Sequence, residues 1–143
     1  MPGKGLSYNL IVEAAAELVE SSGFRSLSLH KVAARLGVKT SSLYKHIRNL
    51  DDLILGLNRY ALTLLDTCLR RSIEEKTKAD ALRSLSEAYR TFATTYPELY
   101  QVILHLPSQT EESIRQLGYQ TFRVFYQVLE PYHLGEEETY HRG

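Results

Sequence analysis

Residues 28 to 50 read Ser-Leu-His-Lys-Val-Ala-Ala-Arg-Leu-Gly-Val-Lys-Thr-Ser-Ser-Leu-Tyr-Lys-His-Ile-Arg-Asn-Leu, and they constrain the fold more than any other stretch. Ser28 is a strong N-cap, with Leu27 and Val32 at the two positions of a hydrophobic staple. Leu29, Val32, Ala33 and Leu36 recur at helical spacing and give one apolar face. Gly37 follows directly, where a left-handed residue ends a helix. Val38 opens a three-residue turn and plugs its corner. Thr40 is expected to cap a second short helix whose inward residues are Leu43 and Ile47. Two short helices, a glycine turn and an apolar corner make a helix-turn-helix. The second helix leaves Lys39, Thr40, Ser41, Ser42, Tyr44, Lys45 and His46 largely outside. Short hydroxyls, bases and one aromatic suit phosphates and base edges in a major groove. Paired short helices also occur in proteins that never touch DNA. An all-α interaction module, its helix-turn-helix packed on protein, therefore stands as the alternative.

Three pieces of this region are more specific: Val-Ala-Ala-Arg-Leu-Gly-Val at 32–38, Leu-Tyr-Lys-His at 43–46 and Asp-Asp-Leu at 51–53. Together they resemble the DNA-binding domain of the tetracycline-repressor family, over roughly residues 7 to 57. Beyond that the resemblance is architectural. Leu50 stands where many members carry a phosphate-contacting lysine, and Ile47 where Phe is common. The resemblance implies an all-α protein with a three-helix DNA-binding unit at 1–50. A helical effector-binding and dimerisation domain follows at 51–143. It also implies that His30, Thr40, Ser41, Ser42, Tyr44, Lys45 and His46 face DNA, and Lys39 joins them from its place in the run left outside the second helix. The function expected on this basis is a transcriptional repressor that binds double-stranded operator DNA as a homodimer. A small apolar or aromatic effector would release it, and no cofactor is expected.

The chain has 143 residues, enough for one or two small domains with a real core. Its formal net charge is zero, but the charge is unevenly placed. Residues 1–50 hold seven Lys/Arg against three Asp/Glu, whereas residues 51–143 hold ten against fourteen. A basic front and an acidic rear suit a protein that docks one end on phosphate. Cys68 is the single cysteine, which excludes an intrachain disulfide and suits a buried packing residue. No apolar run approaches a membrane span, and Met1 to Leu6 does not read as a signal peptide. A cytoplasmic location is the expectation.

Met1 to Leu6 reads as a loose arm. The first helix is expected from Ser7 to Ser22, with Tyr8, Ile11, Val12, Ala15, Leu18 and Val19 on one face and Gly23 closing it. Phe24 and Leu27 are expected to plug the core of the front unit. Asn49 caps a long helix to about Arg71, its first turn made favourable by Asp51 and Asp52. This helix has one end in each unit and is the natural lever between them. Leu53 and Leu57 are expected to cover the helix-turn-helix, and Tyr60, Leu64 and Cys68 to pack on the rear helices. Thr77 caps a fifth helix and Pro97 opens a sixth. Ser108 with Glu111 forms a capping box for a seventh. Its face is expected to be Ile114, Leu117, Phe122, Phe125, Val128 and Leu129. Seven helices are readable, and an eighth would begin where the sequence stops. Helices six and seven are then the candidates for a dimer contact.

The rear half is rich in aromatics. Tyr60, Leu64, Tyr89, Phe92, Tyr96, Tyr100, Ile103, Phe122 and Phe125 could line an effector pocket, and apolar walls with a few polar groups are what such pockets need. Aromatics at helical spacing are more often plain core, and both readings stand. Catalysis has little support, because the chain has no Gly-rich phosphate loop, nucleophile elbow or His-Glu-x-x-His. His30, His46, His105, His133 and His141 are scattered without partners at metal spacing, so no metal site is expected.

Overall fold

The computed structural model describes residues 5–105 and 112–130, and these residues form seven α-helices, one 3-10 turn and no strand. Helix α1 spans Tyr8–Ser22. Its start is made by Ser7, whose Oγ accepts the Leu10 N–H at 3.1 Å. Its end is made by Gly23, whose φ of +93° is open mainly to glycine. The 3-10 turn Phe24–Ser26 follows. Helix α2 spans Leu29–Leu36, with Ser28 Oγ accepting the Lys31 N–H at 3.2 Å. Gly37 takes the left-handed conformation at φ +71°. The Val38 N–H then reaches back to the Ala33 carbonyl at 3.0 Å, satisfying a carbonyl the helix leaves open.

Helix α3 is short, Thr40–Leu43, and the chain turns on through His46. One local expectation needs correcting here. Lys39, not Thr40, holds the N-cap position, and no side chain caps α3. Thr40 has already entered the helix, so its hydroxyl is one residue too late to act as the cap. Leu43 and Ile47 are buried as expected, and they anchor α3 against the front unit.

Helix α4, Leu50–Ser72, is 23 residues and about 35 Å long. Its start is doubly tied. Asn49 Oδ1 accepts the Asp52 N–H at 2.9 Å, and Asp52 Oδ2 accepts the Arg48 N–H at 2.9 Å. Leu53 and Leu57 are fully buried in a hydrophobic cluster that also contains Val32, Leu43 and Ile47. That cluster runs without a break into Leu65, Leu69, Leu85, Val102 and Val124 of the rear helices. The rear helices are α5 (Lys78–Thr95), α6 (Pro97–Leu104) and α7 (Glu112–Leu129). Pro97 occupies the first turn of α6, where its missing N–H costs nothing. The expected capping box of Ser108 and Glu111 lies outside the described residues.

Three packing expectations are revised. Tyr60 and Leu64 line a groove shared with α1 and are not fully buried, and Cys68 is only half-buried. The fully buried stripe is instead Asn58, Leu62, Leu65 and Leu69, at i, i+4, i+7 and i+11. Among the described side chains of α7 the buried ones are Thr121, Val124 and Val128, with Phe125 half-buried, whereas Phe122 is 40% exposed; the expected Ile114, Leu117 and Leu129 lie outside them. Phe24 is half-buried rather than central, and its ring meets His105 of α6 edge-on at 5.6 Å. The close approach of α1 and α4 depends on Gly56. A Cβ there would run into the Tyr8 hydroxyl and lie 3.0 Å from Val12 Cγ2.

Candidate nucleic-acid interface

The helix-turn-helix keeps most of its polar residues outside. His30 stands exposed in the first turn of α2. Lys39, Ser41, Tyr44, Lys45 and His46 are exposed around α3, and Thr40 and Ser42 are half-buried beside them. The eight residues expected to face DNA are therefore all exposed or half-buried, at the start of α2 and around α3. Tyr44 decides its character: it is 54% exposed although an aromatic of its size would be buried if packing were its role. The buried Leu43 and Ile47 flank the exposed run, so the backbone beneath it is fixed from inside.

Electrostatics reinforce this. From Ser28 to Arg48 the chain carries five Lys/Arg (Lys31, Arg35, Lys39, Lys45 and Arg48) and no Asp or Glu. Two of the five are already engaged. Arg35 pairs with Glu17 of α1 at 3.2 Å, and Lys31 Nζ donates to the Ser26 carbonyl at 3.0 Å. Lys39 and Lys45 flank α3 and are the bases best placed to meet a polyanion. The absence of acids in this run is legible in the sequence, and it is a sharper signal than the charge of the whole front half.

The rear aromatics divide into groups. Tyr89, Tyr100, Phe122 and Phe125 come together. The Tyr89 and Tyr100 hydroxyls are 3.0 Å apart, with rings edge-to-face at 5.9 Å. Phe125 meets Tyr89 edge-on at 6.0 Å and stacks on Phe122 at 6.1 Å. Burial, then the hydrogen bond to Tyr100, pushes the Tyr89 phenol up to about 12. Phe92 and Tyr96 form a separate pair at 5.3 Å, and Ile103 is buried in the core. Tyr60 and Leu64 lie elsewhere, on a groove of about 390 Å³ between α1 and α4, which Tyr8, Glu13, Arg59 and Thr63 also line. Burial raises the Tyr60 phenol, and Glu13, Tyr96 and Glu17 raise it further.

Sequence reasoning passed over two polar residues in the core. Asn58 and Thr121 are both fully buried, on α4 and α7. Asn58 Nδ2 donates to the Ile54 carbonyl at 3.2 Å, while its Oδ1 has no partner among the described residues. Its register with Leu62, Leu65 and Leu69 was the available signal. Among the described residues no group of three or more His, Cys, Asp or Glu could hold a metal ion, and no helix is long and apolar enough to cross a membrane.

Comparison with known proteins agrees with this geometry. Residues 11–57 match the model of bacterial regulatory proteins of the tetR family, and residues 82–143 match the tetracyclin repressor-like C-terminal domain. The uncharacterized HTH-type transcriptional regulator YobS of Bacillus subtilis is 34% identical over 103 residues, 72% of this chain and 54% of that protein. The similarly described Rv0681 of Mycobacterium tuberculosis is 31% identical over 102 residues, 71% of this chain and 47% of that protein. The chain thus spans about half the length of the curated relatives it matches. In fold it is similar to a protein of unknown function from Rhodococcus sp. RHA1, with a TM-score of 0.77 at 22% identity, over 90% of this chain and 68% of that one. It is similar also to AibR, solved with isovaleryl coenzyme A and operator DNA, with a TM-score of 0.69 at 20% identity, over 92% and 73% of the two chains. Matched in both its front and its rear helices, the chain belongs to the tetracycline-repressor family of bacterial regulatory proteins.

Proposed function

We propose that this protein is a cytoplasmic, ligand-responsive transcriptional repressor that binds operator DNA as a homodimer. The observation that carries this reading is the acid-free, exposed face of the helix-turn-helix, with Lys39, Ser41, Tyr44, Lys45 and His46 around α3. Lys39 and Lys45 meet phosphates. Thr40, Ser41 and Ser42 are short enough to let α3 approach the groove floor, and Tyr44 and His46 hold the backbone on either side. His30 reaches the same groove from the start of α2. No catalytic role is assigned to any residue.

The effector in this reading is a small apolar or aromatic molecule held among the rear helices by the Tyr89, Tyr100, Phe122 and Phe125 cluster. AibR, alike in fold, binds an acyl-coenzyme A together with its operator, which supports a rear ligand coupled to a front DNA site. Helix α4 connects the two regions, and a ligand acts on DNA only by its differential affinity for two poses of the front unit. In this reading the subunit contact lies on α7, where Tyr119 and Tyr126 stand at i and i+7, each 71% exposed.

Selection of bound duplexes from random DNA tests the proposal. The expected outcome is enrichment of a pseudo-palindrome with half-sites about one helical turn or more apart. Recovery of unenriched sequence, with no retained duplex, would reject DNA recognition by this face.

A further inference from the structure

Beyond their shared core packing, polar and ring contacts join α6 to the front unit, and two of them are reciprocal. Glu20, in the last turn of α1, accepts the Leu99 N–H on Oε2 at 2.8 Å. Leu99 is the third residue of α6, so its N–H is a first-turn donor with no partner inside the helix. The carboxylate also meets the positive end of the α6 dipole. In return Glu98, the second residue of α6, accepts the Phe24 N–H on Oε1 at 2.8 Å. Phe24 opens the 3-10 turn, and its N–H likewise faces outward. Each side lends a carboxylate to an open N–H of the other, and both bonds are part-buried. Gly23 lies inside the joint, with a Cβ position 3.8 Å from Glu98 Oε1. At the far end of α6, His105 meets the Phe24 ring.

We infer that Glu20 and Glu98 form a reciprocal latch that locks α6 to the front unit and sets the orientation of the helix-turn-helix. Helix α4 alone would attach the front unit along one rod, leaving rotation about that rod to be set by packing. The latch adds a second attachment on a different helix. Bonds to charged acceptors are roughly twice as strong as neutral ones, so two of them at one joint make a discrete closed state rather than a soft hinge. A change in the rear helices that shifts α6 by the length of a hydrogen bond opens both at once. The DNA consequence rests on the proposed function; the latch itself does not.

The test uses the full chain and its Glu98→Ala variant, followed by amide hydrogen exchange and backbone relaxation. Opening the latch should speed exchange at Phe24 by about tenfold or more, the loss expected for one charge-assisted bond. Exchange at Leu99 should speed up with it, although Glu20 is intact, while Val32 in α2 stays protected. The front unit should also tumble faster relative to α5–α7. Glu20→Ala should give the mirror result. Glu98→Gln keeps an uncharged acceptor and should recover most of the protection at both amides. If Glu98→Ala does not fold, Glu98→Gln is read the same way, with smaller coupled losses at both amides. Faster exchange at Phe24 with Leu99 and relaxation unchanged would overturn the latch, because the two bonds would then be independent caps. Duplex binding is measured in parallel, on a sequence selected by the wild-type chain. With the latch open, affinity should change several-fold while the salt dependence stays the same. A wild-type chain that binds no duplex removes the DNA reading, and exchange still decides the latch.

Discussion

Asn58→Leu should make the protein more stable, and the structure sets the size of the effect. Asn58 is fully buried on the α4 stripe it shares with Leu62, Leu65 and Leu69, and its Oδ1 has no partner among the described residues. A buried polar atom left unpaired costs about 1–3 kcal/mol. Leucine has the same branched outline and removes that atom. The substitution forfeits the Nδ2 bond to the Ile54 carbonyl, worth about 0.5–1.5 kcal/mol, and that carbonyl keeps its helical N–H. Leucine is also the better helix former by a few tenths of a kcal/mol. The balance is a gain of about 1 kcal/mol, or roughly 2–4 °C in Tm for a chain of this size. The chain has no tryptophan, so unfolding in urea is best followed by far-ultraviolet circular dichroism. The midpoint should rise at constant slope, as it does when stability alone changes. Asn58→Ala, which removes the same atom but leaves a void, should be near neutral or destabilising. A loss of about 1 kcal/mol or more in Asn58→Leu would refute the reasoning, because Oδ1 would then be satisfied in solution.

Other expectations follow from single contacts. Ser28→Ala loses the cap on Lys31 N–H and should cost about 1 kcal/mol, whereas Thr40→Ala should cost much less because Thr40 caps nothing; urea unfolding of the two separates them. Gly56→Ala gains helix propensity of about 1 kcal/mol but drives a methyl into Tyr8 and Val12, so it should destabilise, and Tyr8→Ala should restore much of the loss. Tyr89 is raised from 10.0 to about 12 in the folded state, so between those values the unfolded chain has released a proton that the folded chain still holds. Stability should therefore fall as pH rises through that window, and Tyr89→Phe should flatten the fall in pH-dependent urea unfolding.

Local signals were read well from sequence and long-range ones were not, for a physical reason. The caps at Ser7, Ser28 and Asn49 and the left-handed Gly37 depend on neighbours within four residues, so side-chain chemistry and spacing sufficed. Thr40 failed by one residue because Lys39, with no capping oxygen, took the cap position. In α4 and α7 apolar residues occur on more than one face. Spacing could show a helix there but not which stripe meets which neighbour. Spacing alone therefore turns Phe122 inward, passes over Thr121 and does not reveal the groove that Tyr60 and Leu64 line with α1. Glu20 and Glu98 meet partners 79 and 74 residues away, and nothing near them in the chain announces it. The outward placement of the eight residues expected to face DNA is legible because they lie within one supersecondary unit.

We propose above all that Lys39 and Lys45, with the hydroxyls and Tyr44 around α3, dock on duplex phosphates. The most direct measurement is the affinity of the intact chain for a selected duplex as salt is raised, with Lys45→Ala alongside. The account expects log K to fall linearly with log salt, and Lys45→Ala to weaken all duplexes about equally while reducing the slope by roughly one unit. Binding that does not respond to salt, or a slope unchanged by Lys45→Ala and Lys39→Ala together, would contradict it.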